Sequence, residues 1–210
     1  MSQRAQVPGL CLVAVADAKS APARIEAALK ATQASTLILT PPDAGAFDPA
    51  ITRPLIELAQ KIAVAALLAN DVAASKAFAA DGVHLSWRPE IEDAYEDARG
   101  KLGPDAIVGV DAGQSRHEAM TLGEAGADYL AFADASDEDA EVQRDLVAWW
   151  ADVFIIPVVA FAETADDIRD YVRSGADFVA VHLPADIADD GISGWASELV
   201  AALNTPVEAA

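Results

Sequence analysis

The sequence predicts a compact α/β fold, a (βα)8 TIM barrel with eight parallel strands in one domain spanning residues 1–204. Three observations predict it. An Ala-Asp pair followed by an apolar run recurs at Ala80-Asp81-Gly82-Val83-His84-Leu85, Ala127-Asp128-Tyr129-Leu130-Ala131-Phe132 and Ala176-Asp177-Phe178-Val179-Ala180-Val181. Gly126 and Gly175 precede two of these copies, where a left-handed residue closes a helix without a Cβ penalty. The runs themselves are apolar on both faces, as strands of a helix-covered parallel sheet are.

Apolar runs bounded by turn or cap residues mark eight strands, at Leu10–Val15, Thr36–Thr40, Ile62–Leu68, Gly82–Leu85, Ala106–Val110, Tyr129–Phe132, Ile156–Ala160 and Phe178–Val181. Helical periodicity fills the intervals at Pro22–Thr32, Pro49–Gln60, Val72–Ala79, Glu90–Ala98, Ser115–Glu124, Asp137–Trp150, Ala165–Ser174 and Ser193–Leu203. Pro22 and Pro49 suit the first helical turn, and Asp137, Thr164 and Ser193 suit N-caps. Strict alternation favours the barrel over a doubly wound sheet. Against the latter, the first strand runs into Asp17-Ala18-Lys19-Ser20, with neither a dinucleotide-type glycine turn nor a Walker sequence. Residues 205–210 read as a flexible tail.

Composition narrows the function classes. The formal net charge of −20 is uneven: residues 1–88 hold 7 acids and 8 bases, net +1, and residues 89–210 hold 27 acids and 6 bases, net −21. Such a surface repels phosphate backbones and anionic lipid, so neither nucleic acid nor membrane is an expected partner. The lone Cys11, set among Leu10, Leu12 and Val13, excludes an internal disulfide and reads as a buried thiol. The apolar stretch Leu10–Ala16 sits at the lower limit of a secretory core of about 7–15 residues and reads better as a first strand. A cytoplasmic protein is therefore expected.

In a barrel the chemistry sits just beyond the strands. That face would carry Asp17, Thr40 with Asp43, Asn70 with Asp71, His84 with Ser86 and Trp87, Asp111 with Gln114, Asp134, Glu163, and His182 with Asp186. Converging carboxylates suit a hard cation such as Mg²⁺ or a cationic organic ligand, and oppose a bare phosphate. Each residue also has a structural reading. Asn70-Asp71 can cap the helix at Val72, and His84 can be a hydrogen-bonded core histidine. Trp87 can cover the barrel rim or stack on a heterocycle.

Asn70-Asp71, Asp81-Gly82-Val83-His84-Leu85, Gly126-Ala127-Asp128-Tyr129-Leu130-Ala131-Phe132, Ile156-Pro157-Val158-Val159-Ala160 and Gly175-Ala176-Asp177-Phe178-Val179-Ala180-Val181 resemble, in this order, motifs of thiamine phosphate synthases and their TenI-like relatives. The resemblance implies a transferase of thiamine biosynthesis. In that reaction a hydroxymethylpyrimidine diphosphate ionises with Mg²⁺ assistance, and a thiazole phosphate nitrogen captures the cation. It implies Asp71 as a metal ligand, a small heterocyclic ligand and a homodimer.

Departures from the family pattern are specific. Leu39-Thr40-Pro41-Pro42-Asp43 stands where the family has an arginine and a lysine that grip diphosphate. Ser86-Trp87-Arg88-Pro89 replaces Gly-Gln and an acidic pair, Asp111-Ala112-Gly113 a Ser-x-His segment, and Ala133-Asp134-Ala135 a Gly-Pro turn. Ala162-Glu163 takes the place of a phosphate-binding glycine pair.

Three functions remain open on this reading. One is a divergent synthase, with Asp71 on Mg²⁺, Asn70 and His84 positioning substrate, and Gln114 replacing a lost contact. Another is a catalytically silent relative binding an uncharged or cationic heterocycle or a protein. The third is an unrelated barrel enzyme using Asp111, Glu163, His84 and His182 in acid–base work. Thr40, Asn70, Trp87, Gln114, Asp134 and His182 are the expected ligand contacts.

Overall fold

The computed structural model describes residues 7–42, 45–132 and 140–206. Its first half runs β1 (Gly9–Val15), α1 (Pro22–Thr32), β2 (Thr36–Thr40), α2 (Pro49–Lys61), β3 (Ala65–Ala69), α3 (Val72–Phe78), β4 (Gly82–Leu85) and α4 (Ile91–Leu102). The second half continues β5 (Ile107–Asp111), α5 (Arg116–Glu124), β6 (Tyr129–Phe132), α6 (Ala140–Val153), β7 (Val158–Ala162), α7 (Ala165–Arg173), β8 (Phe178–His182) and α8 (Ile192–Leu203). The strands close in sequence order, β8 pairing with β1, and every pair is parallel. The expected (βα)8 barrel is the fold.

Alternation along each strand divides the core in two. Leu12, Leu37, Leu68, Val83, Val110, Leu130 and Val179 face the helices and are wholly buried. Cys11, Val13, Ile38, Leu67, Ala69, Ala131, Val159 and Ala180 fill the barrel interior, with Ile107, Tyr129, Phe161 and Phe178 packed against them. Cys11 is 4% exposed, and burial pushes its thiol up to about 12, so it is an inert interior residue.

The recurrent aspartates have one job. Asp81, Asp128 and Asp177 each precede an even-numbered strand, and each carboxylate accepts a backbone N–H from the first or second residue of the strand before it: Ala66 at 2.8 Å, Val108 at 2.7 Å and Val158 at 2.9 Å. Their own N–H groups donate to the carbonyls of the same three residues. The next residues pair as Leu67 with Gly82, Gly109 with Tyr129, and Val159 with Phe178. Gly126 and Gly175, at φ 92° and 83°, supply the left-handed turns expected before the second and third copies.

Some boundaries move. Expected to begin at Ile62, β3 begins at Ala65, because α2 extends to Lys61, Ile62 caps it and Ala63 takes φ 60°. Two residues later than expected, β7 starts after Pro157, which has no N–H for the ladder, and ends at Ala162. Thr164 caps α7 in a full capping box with Asp167. Ser193 does not cap α8: a 3-10 turn at Asp189–Gly191 leads into a helix starting at Ile192. The proposed cap Asp137 lies outside the described residues. No helix among the described residues is long and apolar enough to cross a membrane.

Asp128 also pairs with Arg99 at 2.5 Å, partly exposed. Asp128→Ala leaves the Val108 N–H without its acceptor and is expected to destabilise the fold by about 1–3 kcal/mol, most of it from that donor rather than the screened ion pair. Guanidinium unfolding measures this, and a midpoint equal to wild type would mean that the clamp contributes nothing.

Candidate functional site

The C-terminal strand ends form a mouth built as two arcs. In the first, Asn70, at φ 59°, leaves β3 and locks onto the loop after β4: its amide donates to Ser86 Oγ at 3.0 Å, and its Oδ1 accepts from Ser86 N–H at 2.8 Å. Its own backbone N–H donates to the His84 carbonyl at 2.9 Å. Asp71 caps α3 by accepting the Ala74 N–H at 2.8 Å. Both residues thus perform the capping and turn work their types favour, at the entrance to the mouth.

Asp111 ends β5 and is 2% exposed. Its carboxylate accepts the Gly113 N–H at 2.8 Å and the Trp87 N–H at 3.4 Å, joining the loops after β4 and β5. The Trp87 indole lies directly on Gly113, at φ 57°, where a Cβ would stand 2.7 Å from the ring. Trp87 Nε1–H donates to Glu118 at 3.2 Å, and the residue remains 49% exposed. A flat aromatic is therefore seated on one side and open to solvent, an arrangement suited to stacking. Gln114 is exposed in the same loop.

His84 lies within β4, 5% exposed, its Nδ1 3.0 Å from the Tyr129 hydroxyl. Burial drops its pKa to about 4, so the imidazole is neutral at physiological pH. The same burial raises the Tyr129 phenol well above its usual range.

The second arc is more open. Thr40 ends β2, half-buried. Glu163 follows β7, exposed, its N–H donating to Asp167 at 3.3 Å. His182 is the last residue of β8. Although its side chain reaches solvent, the surrounding walls push its pKa below the ordinary imidazole value, and the nearby Glu163 carboxylate opposes that shift. Asp43 and Asp134 lie outside the described residues. At the opposite barrel end is a shallow depression of about 580 Å³ lined by Gln60, Asp81, Asp105 and Ile107. Its Asp81 is committed to the strand clamp, so the mouth is the candidate site.

Among the described residues no three histidine, cysteine or carboxylate groups converge to hold a metal alone. Magnesium is commonly held by one or two carboxylates together with substrate phosphates. Asp71 fits that mode, since the cap engages only Oδ1.

The family model for thiamine monophosphate synthase matches residues 10–183, from β1 to just past β8. The chain belongs to this family. It is 39% identical over 139 residues to a thiamine-phosphate synthase of Erythrobacter litoralis and 38% identical over 130 residues to one of Hyphomonas neptunium. These matches cover 62% and 59% of this chain but only 64% and 58% of the two relatives, less than two thirds of their length. A thiamine phosphate pyrophosphorylase from Pyrococcus furiosus superposes with a TM-score of 0.74 over 94% of this chain and 96% of that one, at 21% identity, a likeness of fold.

Sequence reading passed over Tyr129, Gly113 and Glu118, which hold His84 and Trp87 in place. Tyr129 was legible only as the first residue of a strand, although Gly109 opposite it marks a space for a large ring. Since Glu163 is what raises the His182 pKa, Glu163→Gln is expected to lower it further. An NMR titration of His182 reads the change, and an unchanged or higher value would mean that the carboxylate does not act on the imidazole.

Proposed function

We propose that the protein is a divergent synthase of thiamine biosynthesis, joining a pyrimidine diphosphate to a thiazole phosphate. The observation that carries this reading is the Asn70-Asp71 pair, which matches the family's pair in sequence and stands at the barrel mouth beside the loop that carries Trp87. In the reaction, the bond between the pyrimidine methylene carbon and the diphosphate oxygen breaks, and the oxygen keeps the electron pair. The thiazole nitrogen lone pair then forms the new C–N bond, giving a thiazolium cation and free diphosphate.

Asp71 would hold Mg²⁺, which when bound neutralises charge on the departing diphosphate. Asn70 fixes the loop after β4 through Ser86. Trp87 offers a surface for a heteroaromatic ring, with Gln114 alongside it. The carboxylates of Asp111 and Glu163 favour positive charge as it develops on the pyrimidine methylene and remains on the thiazolium. His182 and Thr40 complete the rim. Because the substrates are phosphorylated metabolites, which do not diffuse through membranes, the reading puts the protein in the cytoplasm; a homodimer belongs to the same proposal.

A specific observation favours a second reading. By the sequence resemblance, Ala162-Glu163 stands where the family has a phosphate-binding glycine pair, and a carboxylate about 4 Å from a phosphate opposes it by ~4 kcal/mol per charge pair at an effective dielectric of 20, less where solvent screens it. A silent relative binding an uncharged or cationic heterocycle would keep the barrel and the Trp87 platform.

Incubation with hydroxymethylpyrimidine diphosphate, thiazole phosphate and Mg²⁺ is expected to yield thiamine phosphate. Asp71→Asn should cut kcat at least tenfold, and Glu163→Gln should lower KM for the diphosphate roughly tenfold by removing the opposing charge. No product above background, together with thermal stabilisation by unphosphorylated heterocycles and none by pyrophosphate, would replace the synthase reading with the second one.

A further inference from the structure

We propose that Tyr129 is a positioning residue that holds His84 in the tautomer with its proton on Nε2, so that the barrel interior offers the ligand a hydrogen-bond donor rather than a base. The inference rests on the mouth being the ligand site, and it reassigns His84 from proton abstraction to recognition of an acceptor atom, such as a ring nitrogen or a carbonyl oxygen of a neutral heterocycle.

Ring geometry is the first support. The imidazole and phenol planes differ by only 5°, with centroids 5.9 Å apart, and Nδ1 stands 3.0 Å from the hydroxyl. At that distance Nδ1 either accepts from the phenol or donates its own N–H to it. Of the two arrangements, the phenol donating to Nδ1 is the one that gives the phenol proton an acceptor. In the reverse, with Nδ1–H donating to the phenol oxygen, the phenol proton has no other acceptor among the described residues. Burial keeps both groups neutral, so neither an imidazolium nor a phenolate enters the choice.

The surroundings prevent the pair from moving apart. Gly109 lies between them in the ladder, paired with His84 on one side and Tyr129 on the other. A Cβ at Gly109 would stand 1.9 Å from Tyr129 Cζ, so the glycine is the seat of the phenol ring. Phe161 packs on the imidazole with centroids 5.4 Å apart and planes at 44°. Thr52 Oγ1 is the one fully buried side-chain nitrogen or oxygen without a partner among the described residues. His84 Nε2, which has no partner among the described residues, therefore keeps solvent access, two residues before Ser86 and the mouth.

The test is nitrogen NMR on the free protein. The chain has three histidines, so His117→Gln with His182→Gln leaves His84 as the sole imidazole. The expected spectrum shows one neutral tautomer, with a protonated Nε2 and a pyridine-like Nδ1. Adding Tyr129→Phe is expected to replace it with an exchange average of both tautomers, and Gly109→Ala, which displaces the phenol instead of deleting its hydroxyl, should do the same. A protonated Nδ1 in the parent, or a single unchanged tautomer after Tyr129→Phe, overturns the proposal. Because it is read without substrate, this result stands or falls separately from synthase activity. In an active enzyme, Tyr129→Phe on the otherwise unaltered chain should raise KM about twofold with kcat little changed, because the ligand must then select the Nε2-protonated tautomer from the average.

Discussion

The barrel depends on a two-point clamp repeated three times. At Ala66, Val108 and Val158, both backbone polar groups at the start of a strand are taken by one aspartate, its carboxylate accepting the N–H and its own N–H donating to the carbonyl. A parallel pair could slide by one residue and keep most of its ladder, but a slip of one turns every inward side chain outward. The clamp forbids that slip. Serine stands in the equivalent place before β2, where Ser35 donates its N–H to Leu10 O but offers no carboxylate. Three of the four β-strand pairs of this kind thus carry the stronger device, and they are the pairs that contribute Asn70, Trp87, Asp111, Glu163 and His182 to the mouth.

With register fixed, interior volume is shared between glycines and rings. Gly109 makes room for Tyr129, and Phe161 closes over His84 on the other side. The interior polar groups are consequently neutral: a thiol and a phenol raised by burial, and an imidazole lowered by it. A neutral interior beneath an acidic mouth concentrates charge at the opening, where the ligand would lie, and keeps it out of the part of the barrel that determines stability.

Most of the fold was legible because it is written locally. Alternating periodicity, Pro22 and Pro49 in first turns, the Thr164 cap and the Ala-Asp recurrence each act within a few residues of chain. Errors fell where a local rule had two outcomes: Ile62 is apolar enough for a strand but ends a helix, and Ile156-Pro157 precedes β7 because the ladder needs an N–H that proline lacks. The mouth was legible as a set of positions and not as a set of contacts. His84 and Tyr129 lie 45 residues apart, and Trp87 and Glu118 lie 31 apart, so only the closed barrel brings each pair together. Asp111, conspicuous in sequence as a carboxylate at a strand end, is also the brace between two loops.

The sign of the mouth follows from these commitments. Asn70 is tied to Ser86, and Asp71 is half engaged by a cap, so the first arc is rigid before any ligand arrives. Glu163 and His182 on the second arc have more freedom, and the carboxylate partly offsets the burial that drives the imidazole toward neutrality. On the proposed synthase reading, a diphosphate entering such a mouth would gain from a cation at Asp71 and lose at Glu163, whereas a heteroaromatic ring would gain at Trp87 on either side of the reaction. In that reaction the balance would reverse once the leaving group had departed: the organic fragment would be cationic, and every carboxylate that opposed the substrate would favour what it becomes. An acidic mouth is therefore a poor device for gathering diphosphate and a good one for stabilising a carbocation and a thiazolium, which shifts selective recognition from the phosphate to the ring.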